Sequence, residues 1–252
     1  MRSYLLVFSL VVLIFSFVSI ADAVLIGQWD FNEGAGNIAY DNSGFSNDAT
    51  GLNGGWVAGK NGYATTNYNI IVPQDESLLL ESNLTIMAWA KIDEFNGLQR
   101  RIVEMVPSYG FLFNPPNMDL ETAFHLCFNA GTDEENFSFE YQSIPLGEWF
   151  HTAVTWDGNI AQFYLNGVPS TPVSAQTIIS KYGFSPLLMG AQGYTLDEVR
   201  IYNHVLTGEE IRDVSGVVPE PTTMFLFGTG LVGFMFRRLG NKKDISKMLL
   251  KF

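Results

Sequence analysis

The chain has 252 residues, of which 14% are aromatic and only 16% charged, with a formal net charge of −12. That length suits one all-β unit of about 200 residues with a sizeable core. Residues 24–216 hold 7 Lys and Arg against 23 Asp and Glu, a net of −16. A body this acidic repels nucleic acid and anionic lipid surfaces, which excludes both as its partners and leaves cations and neutral or basic ligands. The single cysteine, Cys127, excludes an intrachain disulfide, and a body of this size can do without one.

Met1–Ala23 reads as a secretory signal peptide: Arg2 gives a positive start, Leu5–Ile20 is apolar, and Ala21-Asp22-Ala23 is an A-x-A cleavage site. Processing between Ala23 and Val24 is the expectation, with an uncleaved anchor helix as the alternative. Val24–Phe31 reads as an opening strand. Asn32–Gly62 is rich in Gly, Asn, Asp and Ser, which predicts loops with short strands between them. Tyr63–Val72 carries one or two strands, and Pro73–Leu80 is a connection with room for one helical turn after Gln74. In Leu84–Ile92, Ile86, Ala88 and Ala90 alternate with Met87, Trp89 and Lys91, the period of two that marks a strand. Arg101–Val106 and Gly110–Phe113 are short strands. Asn114-Pro115-Pro116-Asn117 then breaks the ladder, because proline has no N–H to donate. Asp119–Asn129 and Asn136–Ser143 read as a strand pair around a solvated acidic turn, Gly131–Glu135. Cys127 lies in the alternating run Ala123–Phe128 and reads as a buried, inert thiol.

The stretch Gly147–Gly167, GEWFHTAVTWDGNIAQFYLNG, predicts a hairpin. Phe150, Thr152, Val154 and Trp156 alternate with Trp149, His151, Ala153 and Thr155. Asp157-Gly158 supplies turn residues, Ile160–Leu165 is the second strand, and Asn166-Gly167 is a strong hairpin-turn signal. His151 is expected to pack against Trp149 or to be hydrogen-bonded internally. Ser185–Gly190 and Thr195–Tyr202 close the sheets. Thr207-Gly208-Glu209-Glu210 is a capping box that opens a short helix ending near Val214. Many short strands with regular turn signals and almost no helix predict an all-β, two-sheet antiparallel β-sandwich.

Four blocks carry a resemblance. Gly147–Gly167 resembles the central hairpin of laminin-G-like, concanavalin A-like jelly-roll domains. Leu196–Asn203, LDEVRIYN, with Leu206–Ile211 resembles their closing strand and short helix. Gln28–Gly34, QWDFNEG, and Asp41–Asp48, DNSGFSND, resemble their opening strand and first loop. The resemblance covers Val24–Val214 and implies one jelly-roll domain over residues 24–216. It also implies that the opening and closing strands lie side by side, and that calcium is a candidate cofactor. Ca²⁺ takes six to eight oxygen ligands, and Asp30, Glu33, Asp41, Asn47, Asp48 and Asp197 offer them. Asp30, Asp41, Asp48 and Asp197 are the candidate metal ligands, with calcium bridging Asp41 and Asp197. The competing reading is that loop Asp and Asn side chains make Asx-turns and caps.

The last segment has a different character. Val218-Pro219-Glu220-Pro221 reads as an extended linker. Thr222–Phe236 is apolar, and Arg237-Arg238 and Lys242-Lys243 follow it. A hydrophobic segment with basic residues behind it reads as a membrane span whose C-terminal side, residues 244–252, stays cytoplasmic. At 15 residues it falls short of the roughly 20 a spanning helix needs, although snorkelling basic residues extend its reach. Pro219, Glu220 and Pro221, the hydrophobic stretch, and Arg237 and Arg238 together resemble a PEP-CTERM sorting signal over residues 217–243. The resemblance implies transient membrane anchoring. It further implies removal of the tail by an exosortase-type transpeptidase and release to the cell surface or an extracellular matrix. Asp244–Phe252 extends past the basic cluster, where such signals usually stop. A plain single-pass anchor is the alternative.

Catalytic groups are hard to find. Retaining glycosidases need two carboxylates about 5 Å apart; laminarinase-type enzymes of this fold carry E-x-D-x-x-E on one strand, which the chain lacks. His125, His151 and His204 have no metal-type spacing, and no nucleophile elbow or phosphate loop occurs. The expectation is a non-enzyme. Sugar sites present Trp or Tyr faces beside polar groups, and Trp56, Tyr63, Tyr68, Tyr109 and Tyr182 fall in predicted loops, each also readable as packing. The sequence therefore points to an exported surface or matrix protein that binds an extracellular polysaccharide or other glycan, or mediates adhesion. A structural matrix protein without a specific ligand is the alternative, and a glycoside hydrolase a distant third.

Overall fold

A computed structural model describes residues 24–93, 100–113, 123–128, 135–141, 144, 146–179, 185–190 and 192–217. The first loop-rich quarter yields β1 (Leu25–Trp29), β2 (Ile38–Ala39), β3 (Ala49–Thr50), β4 (Trp56–Ala58), β5 (Tyr63–Thr65) and β6 (Ile70–Val72). A 3₁₀ turn at Glu76–Leu78 leads into β7 (Leu84–Ile92), β8 (Arg100–Met105), β9 (Tyr109–Phe113), β10 (Ala123–Phe128) and β11 (Glu135–Glu140). Then come β12 (Trp149–Trp156), β13 (Ile160–Leu165), β14 (Val168–Pro169), β15 (Val173–Ser174), β16 (Leu187–Met189), β17 (Tyr194–Tyr202) and α1 (Gly208–Ser215).

Two antiparallel sheets result. One runs β14-β13-β12-β7-β17-β5-β4, with β1 also on β17 and β15 on β13; the other runs β11-β10-β9-β8-β16-β6-β3-β2. The first is organised on β7 and β12, whose register holds without a break from Trp149 opposite Lys91 to Trp156 opposite Leu84. Alternation along these strands sends Ile86, Ala88, Ala90, Phe150 and Val154 into the core between the sheets. Phe111, Phe124 and Phe128 enter from the facing sheet, and each fully buried ring is worth about 1.5–3 kcal/mol. Ring contacts stitch the layers together: Phe128 to Trp156 at 4.6 Å, Phe124 to Phe150 at 6.2 Å and Phe111 to Phe163 at 6.4 Å.

Residues of opposite parity on β7 and β12 face outward. Met87 and Ala153, with Tyr164, Tyr202 and Leu206, are covered there by Ile211 of α1. The expected capping box is present, with Thr207 and Glu210 bonded reciprocally, and Gly216 ends the helix in the left-handed region at φ 65°. β1 lies against β17, with Gln28 opposite Arg200 and Trp29 opposite Val199, so the opening and closing strands are neighbours. β17 bulges between Asp197 and Arg200, with Glu198 at φ 51°.

Several local expectations change. Trp56 lies on a strand rather than in a loop, and Tyr63 opens β5, in keeping with the strand reading of Tyr63–Val72 and not with a loop position for that ring. Tyr109 is buried in β9, its hydroxyl donating to the Leu78 carbonyl at 3.0 Å. His151 packs edge-on against Trp89 at 5.5 Å, not against Trp149, because the β12–β7 register sets it directly opposite Trp89. Cys127 is buried, as expected. Ala21 and Ala23, most of the acidic turn, Tyr182, and the tail with Pro219, Glu220, Pro221, Arg237 and Arg238 lie outside the described residues. Among the described residues, no helix is long and apolar enough to cross a membrane.

Candidate functional site: a braced cleft beside the opening strand

The loop after β2 is organised by Asp41. Its Oδ1 accepts from the backbone N–H groups of Gln28 and Ser43, both at 2.9 Å. Its Oδ2 accepts from the Ser43 hydroxyl at 2.7 Å and from Asn47 N–H at 2.9 Å. Asp48 Oδ1 accepts in turn from Asp41 N–H at 2.9 Å. These are Asx-type closures, and four donors on two oxygens leave little of the carboxylate for a cation.

The other two candidate ligands serve different contacts. Asp30 accepts from Gln28 Nε2 and Asn42 Nδ2 and lies 3.5 Å from Arg200 Nη2, which Glu198 holds more closely at 2.6 Å. Asp197 is fully buried. Its Oδ2 accepts from Lys60 N–H at 2.8 Å and Asn61 N–H at 3.2 Å, fixing the β4–β5 turn. Its Oδ1 has no partner among the described residues. Burial pushes the Asp197 carboxyl up to about 7, against the opposing pull of the Asn61 amide. Above this turn, Lys60 Nζ sits 4.3 Å from the centre of the Trp89 ring, a cation–π contact. Among the described residues, no three His, Cys, Asp or Glu side chains gather to hold a metal ion. As arranged, the four aspartates do not fit a calcium site.

The Asp41 brace positions something else. Gly44 and Ser46 both adopt left-handed backbone, at φ 97° and 63°, and Phe45 between them stands 44% exposed. A non-glycine residue at positive φ is strained and persists only where surrounding bonds hold it. Asn47 supplies those bonds. It is buried, with Nδ2 donating to the Ile26 carbonyl at 2.8 Å and to Ser77 Oγ at 2.9 Å, and its carbonyl accepting from Trp29 Nε1 at 2.8 Å. The 3₁₀ turn is pinned as well: Asp75 caps Ser77 N–H at 2.9 Å, which holds the Asp75 carboxyl below its usual range, and Leu78 is in the core.

Between these braced parts opens a cleft of about 350 Å³, near the lower end of the roughly 300–1,000 Å³ of small-molecule sites. Ile26, Phe45, Leu79 and Leu80 give it an apolar lining. Glu76 and Glu81 bring carboxylates, while Asn83 and Asn203 bring amides from the start of β7 and the end of β17. An aromatic ring, an aliphatic surface and several polar heads in one open cleft match a ligand with an apolar face and a hydroxylated edge. The sequence has Phe45 as the one aromatic of the Gly-, Ser- and Asn-rich run Asp41–Asp48, a local signal for an exposed ring. Nothing local marks Glu76, Glu81 or Asn83, and only the fold brings their stretch together with Phe45 and Asn203.

Residues 59–212 match the family model of the concanavalin A-like lectin/glucanases superfamily. The chain belongs to that superfamily. The match begins at residue 59, yet β1–β4 join the same two sheets, so the sandwich extends N-terminal to it. Residues 217–239 match the PEP-CTERM protein-sorting motif, which marks an exported protein processed at the membrane by an exosortase. The superfamily chain is similar in fold to domain 4 of AbnA, a GH43 extracellular arabinanase from Geobacillus stearothermophilus, solved with arabinotriose. Identity is 19% and the TM-score 0.61, over 76% of this chain and 98% of that one. It is also similar to the binding domain of Paraclostridial Mosquitocidal Protein 1, at 17% identity and TM-score 0.59 over 75% and 51% of the two chains. A third likeness is to the botulinum neurotoxin serotype D ligand binding domain in complex with N-acetylneuraminic acid, at 14% identity and TM-score 0.55 over 76% and 50%. The chain thus spans about half the length of the two toxin domains. At these identities the likeness is one of fold. No curated protein matches the sequence.

Proposed function

We propose that this is an exported carbohydrate-binding or adhesion module whose ligand seat is the cleft beside Phe45. The carrying observation is the composition of that cleft: the exposed Phe45 ring between two residues of left-handed backbone, an aliphatic lining and six polar residues. Sugars offer a C–H face to aromatic rings and hydroxyls to carboxylates and amides. Superfamily membership and the sugar-bound structures of similar fold support the reading. The sorting motif supplies the setting: an exosortase-type transpeptidase acts on the tail, and the body goes on to the cell surface or an extracellular matrix.

The cleft holds its ligand without cutting it. Glu76 and Glu81 are both exposed, outside any apolar enclosure. Asp197 has such an enclosure, but it lies beneath the Lys60-Asn61 turn and does not line the cleft. A glycan array probed with the full chain and with Phe45→Ala tests the proposal. Discrete hits that the variant loses support it. Uniform silence favours a structural matrix protein without a ligand. Release of new reducing ends from a bound polysaccharide would make the protein a hydrolase.

A further inference from the structure

We propose that the leader and the sorting tail hold the body to the bilayer from opposite ends of its strands, the leader at the cleft and the tail away from it. Removal of the leader, and not of the tail, is then the step that opens the cleft to a polymeric ligand. The proposal rests on the readings of residues 1–23 and 222–236 as membrane segments, and its ligand arm on the carbohydrate-binding reading above. β7 gives the axis. Its first residue, Leu84, follows Asn83 of the cleft, and Thr85 lies opposite Tyr202, so Asn203 is at the same end. Val24 joins it there. Its N–H donates to Asn203 Oδ1 at 3.3 Å, and its carbonyl accepts from Asn203 N–H at 3.2 Å. The residue to which the leader is joined is thus clamped to a wall of the cleft.

The tail leaves from the other end. Trp89 lies about 17 Å along β7 from Leu84 at the usual strand rise, and its Nε1 donates to the Ser215 carbonyl at 3.2 Å. Gly216 then turns the chain at φ 65°, and Val217 N–H donates to Ser215 Oγ at 3.3 Å. Val217 lies against Gly167, where an added Cβ would come within 3.3 Å of its Cγ1. Asn166, beside that glycine, donates its N–H to the carbonyl of His151, which is opposite Trp89. Both connections to the membrane are short. From Val24 back to Ile20 and from Val217 on to Thr222, a fully extended chain reaches at most about 14 Å and about 18 Å. These lengths are comparable to the radius of gyration of a domain of this size, about 16 Å, so each connection keeps its own end of the body at the bilayer. Charge favours the tailed arrangement. Lys60, Lys91 and Arg212, three of the seven Lys and Arg of residues 24–216, stand around Trp89 and Gly167. The acids there are Asp93, paired with Lys91 at 3.9 Å, Glu148 and Asp213, whereas no Lys or Arg lines the cleft. An acidic body held near anionic lipid turns its most cationic end to it.

Three forms of the protein in vesicles of phosphatidylethanolamine and phosphatidylglycerol, with a quencher on the lipid headgroups, test this. One is the full chain with the leader retained through Ala23→Asp. The second has lost the leader and keeps the tail through Glu220→Ala, and the third is the free body. Each carries one fluorophore, on Ile160→Cys or on Val168→Cys, positions 41% and 63% exposed; Cys127 is buried and takes no label. Ile160 is at the Leu84 end, because Ala161 lies opposite Trp156 and Trp156 opposite Leu84, while Val168 follows Gly167. Val168 should be quenched in both anchored forms, Ile160 only in the one with the leader, and neither in the free body. The best polysaccharide hit from the array should be lost by the leader-bearing form and held equally by the other two. About 20 Gly and Ser residues inserted between Ala23 and Val24, an added reach of roughly 25 Å, should release Ile160 and restore binding, a recovery that misfolding cannot imitate. Ile160 quenched in the tailed form, Val168 spared there, or polysaccharide held by the leader-bearing form as by the free body would overturn the proposal. Polysaccharide bound by none of the forms would remove the carbohydrate-binding reading, and the quenching pattern would still decide which end faces the bilayer.

Discussion

Asp41 and Asp197 are both acids at the ends of strands, and their surroundings give them opposite chemistry. Asp41 accepts from four donors and braces a strained turn. Removing it leaves three backbone amides without their partner, so Asp41→Ala should cost about 2–4 kcal/mol in urea unfolding and weaken glycan binding by displacing Phe45. Because the carboxylate is already occupied, wild-type melting should be the same in EDTA and in calcium; a calcium-dependent rise would place a cation in this loop after all. Asp197 behaves differently because its carboxyl, raised from 3.8 to about 7, is more easily protonated folded than unfolded. Its contribution to stability is present at low pH and is lost as pH rises through about 7. The neutral imidazoles of His125 and His151, lowered by burial to about 4 and about 3, act in the other direction: their contribution is complete above 6.5 and is lost as pH falls. Asp197→Asn keeps an acceptor for the Lys60 and Asn61 amides and removes the titration. Its melting temperature should therefore gain on the wild type by several degrees between pH 4 and pH 8. A difference that does not vary with pH would show that Asp197 ionises normally.

At the scale of elements, the closing helix is the part whose stability is easiest to separate. α1 is short, so it depends on its caps and on Ile211 covering Met87 and Ala153. Thr207→Ala removes the hydroxyl half of the capping box, leaving the backbone N–H at position 207 on Glu210, and should cost about 1 kcal/mol, seen as a lower melting temperature with strand signals unchanged. Trp89 Nε1 also donates to the Ser215 carbonyl at 3.2 Å, so the helix end is tied to the central strand just before the sorting motif begins. The β7–β12–β13 layer depends on cross-strand register rather than on caps, and its outward face is shared between this helix and the Lys60 turn.

For the whole molecule, ligand binding and sorting are assigned to different stretches of the sequence. The body carries the cleft, and the tail carries the address. Glu220→Ala should leave melting and glycan binding unchanged while altering processing. Mass spectrometry should find the wild-type body without the tail and the variant with it, and identical products would argue against sorting through this motif. The closing strand against the opening strand, with the first loop folded over them, is what brings residues from both ends of the body to one cleft.

The sandwich itself was legible from the chain alone. Period-two alternation in β7 and β12, Asn166-Gly167 and the Thr207–Glu210 box are short-range signals, and each came out where local physics places it. The role of the acids was not legible, because an aspartate in a loop looks the same whether it holds a cation or a set of amides. Only the fold shows Asp41 saturated, Asp197 sealed under a turn, and His151 against Trp89 instead of Trp149. The cleft belongs to tertiary structure: Phe45, the Glu76–Asn83 stretch and Asn203 are far apart along the chain. Covalent spacing determines which strands and caps form; what the side chains face is decided by how β1 and β17 pair and by the Asn47 bond that ties the first loop to the 3₁₀ turn.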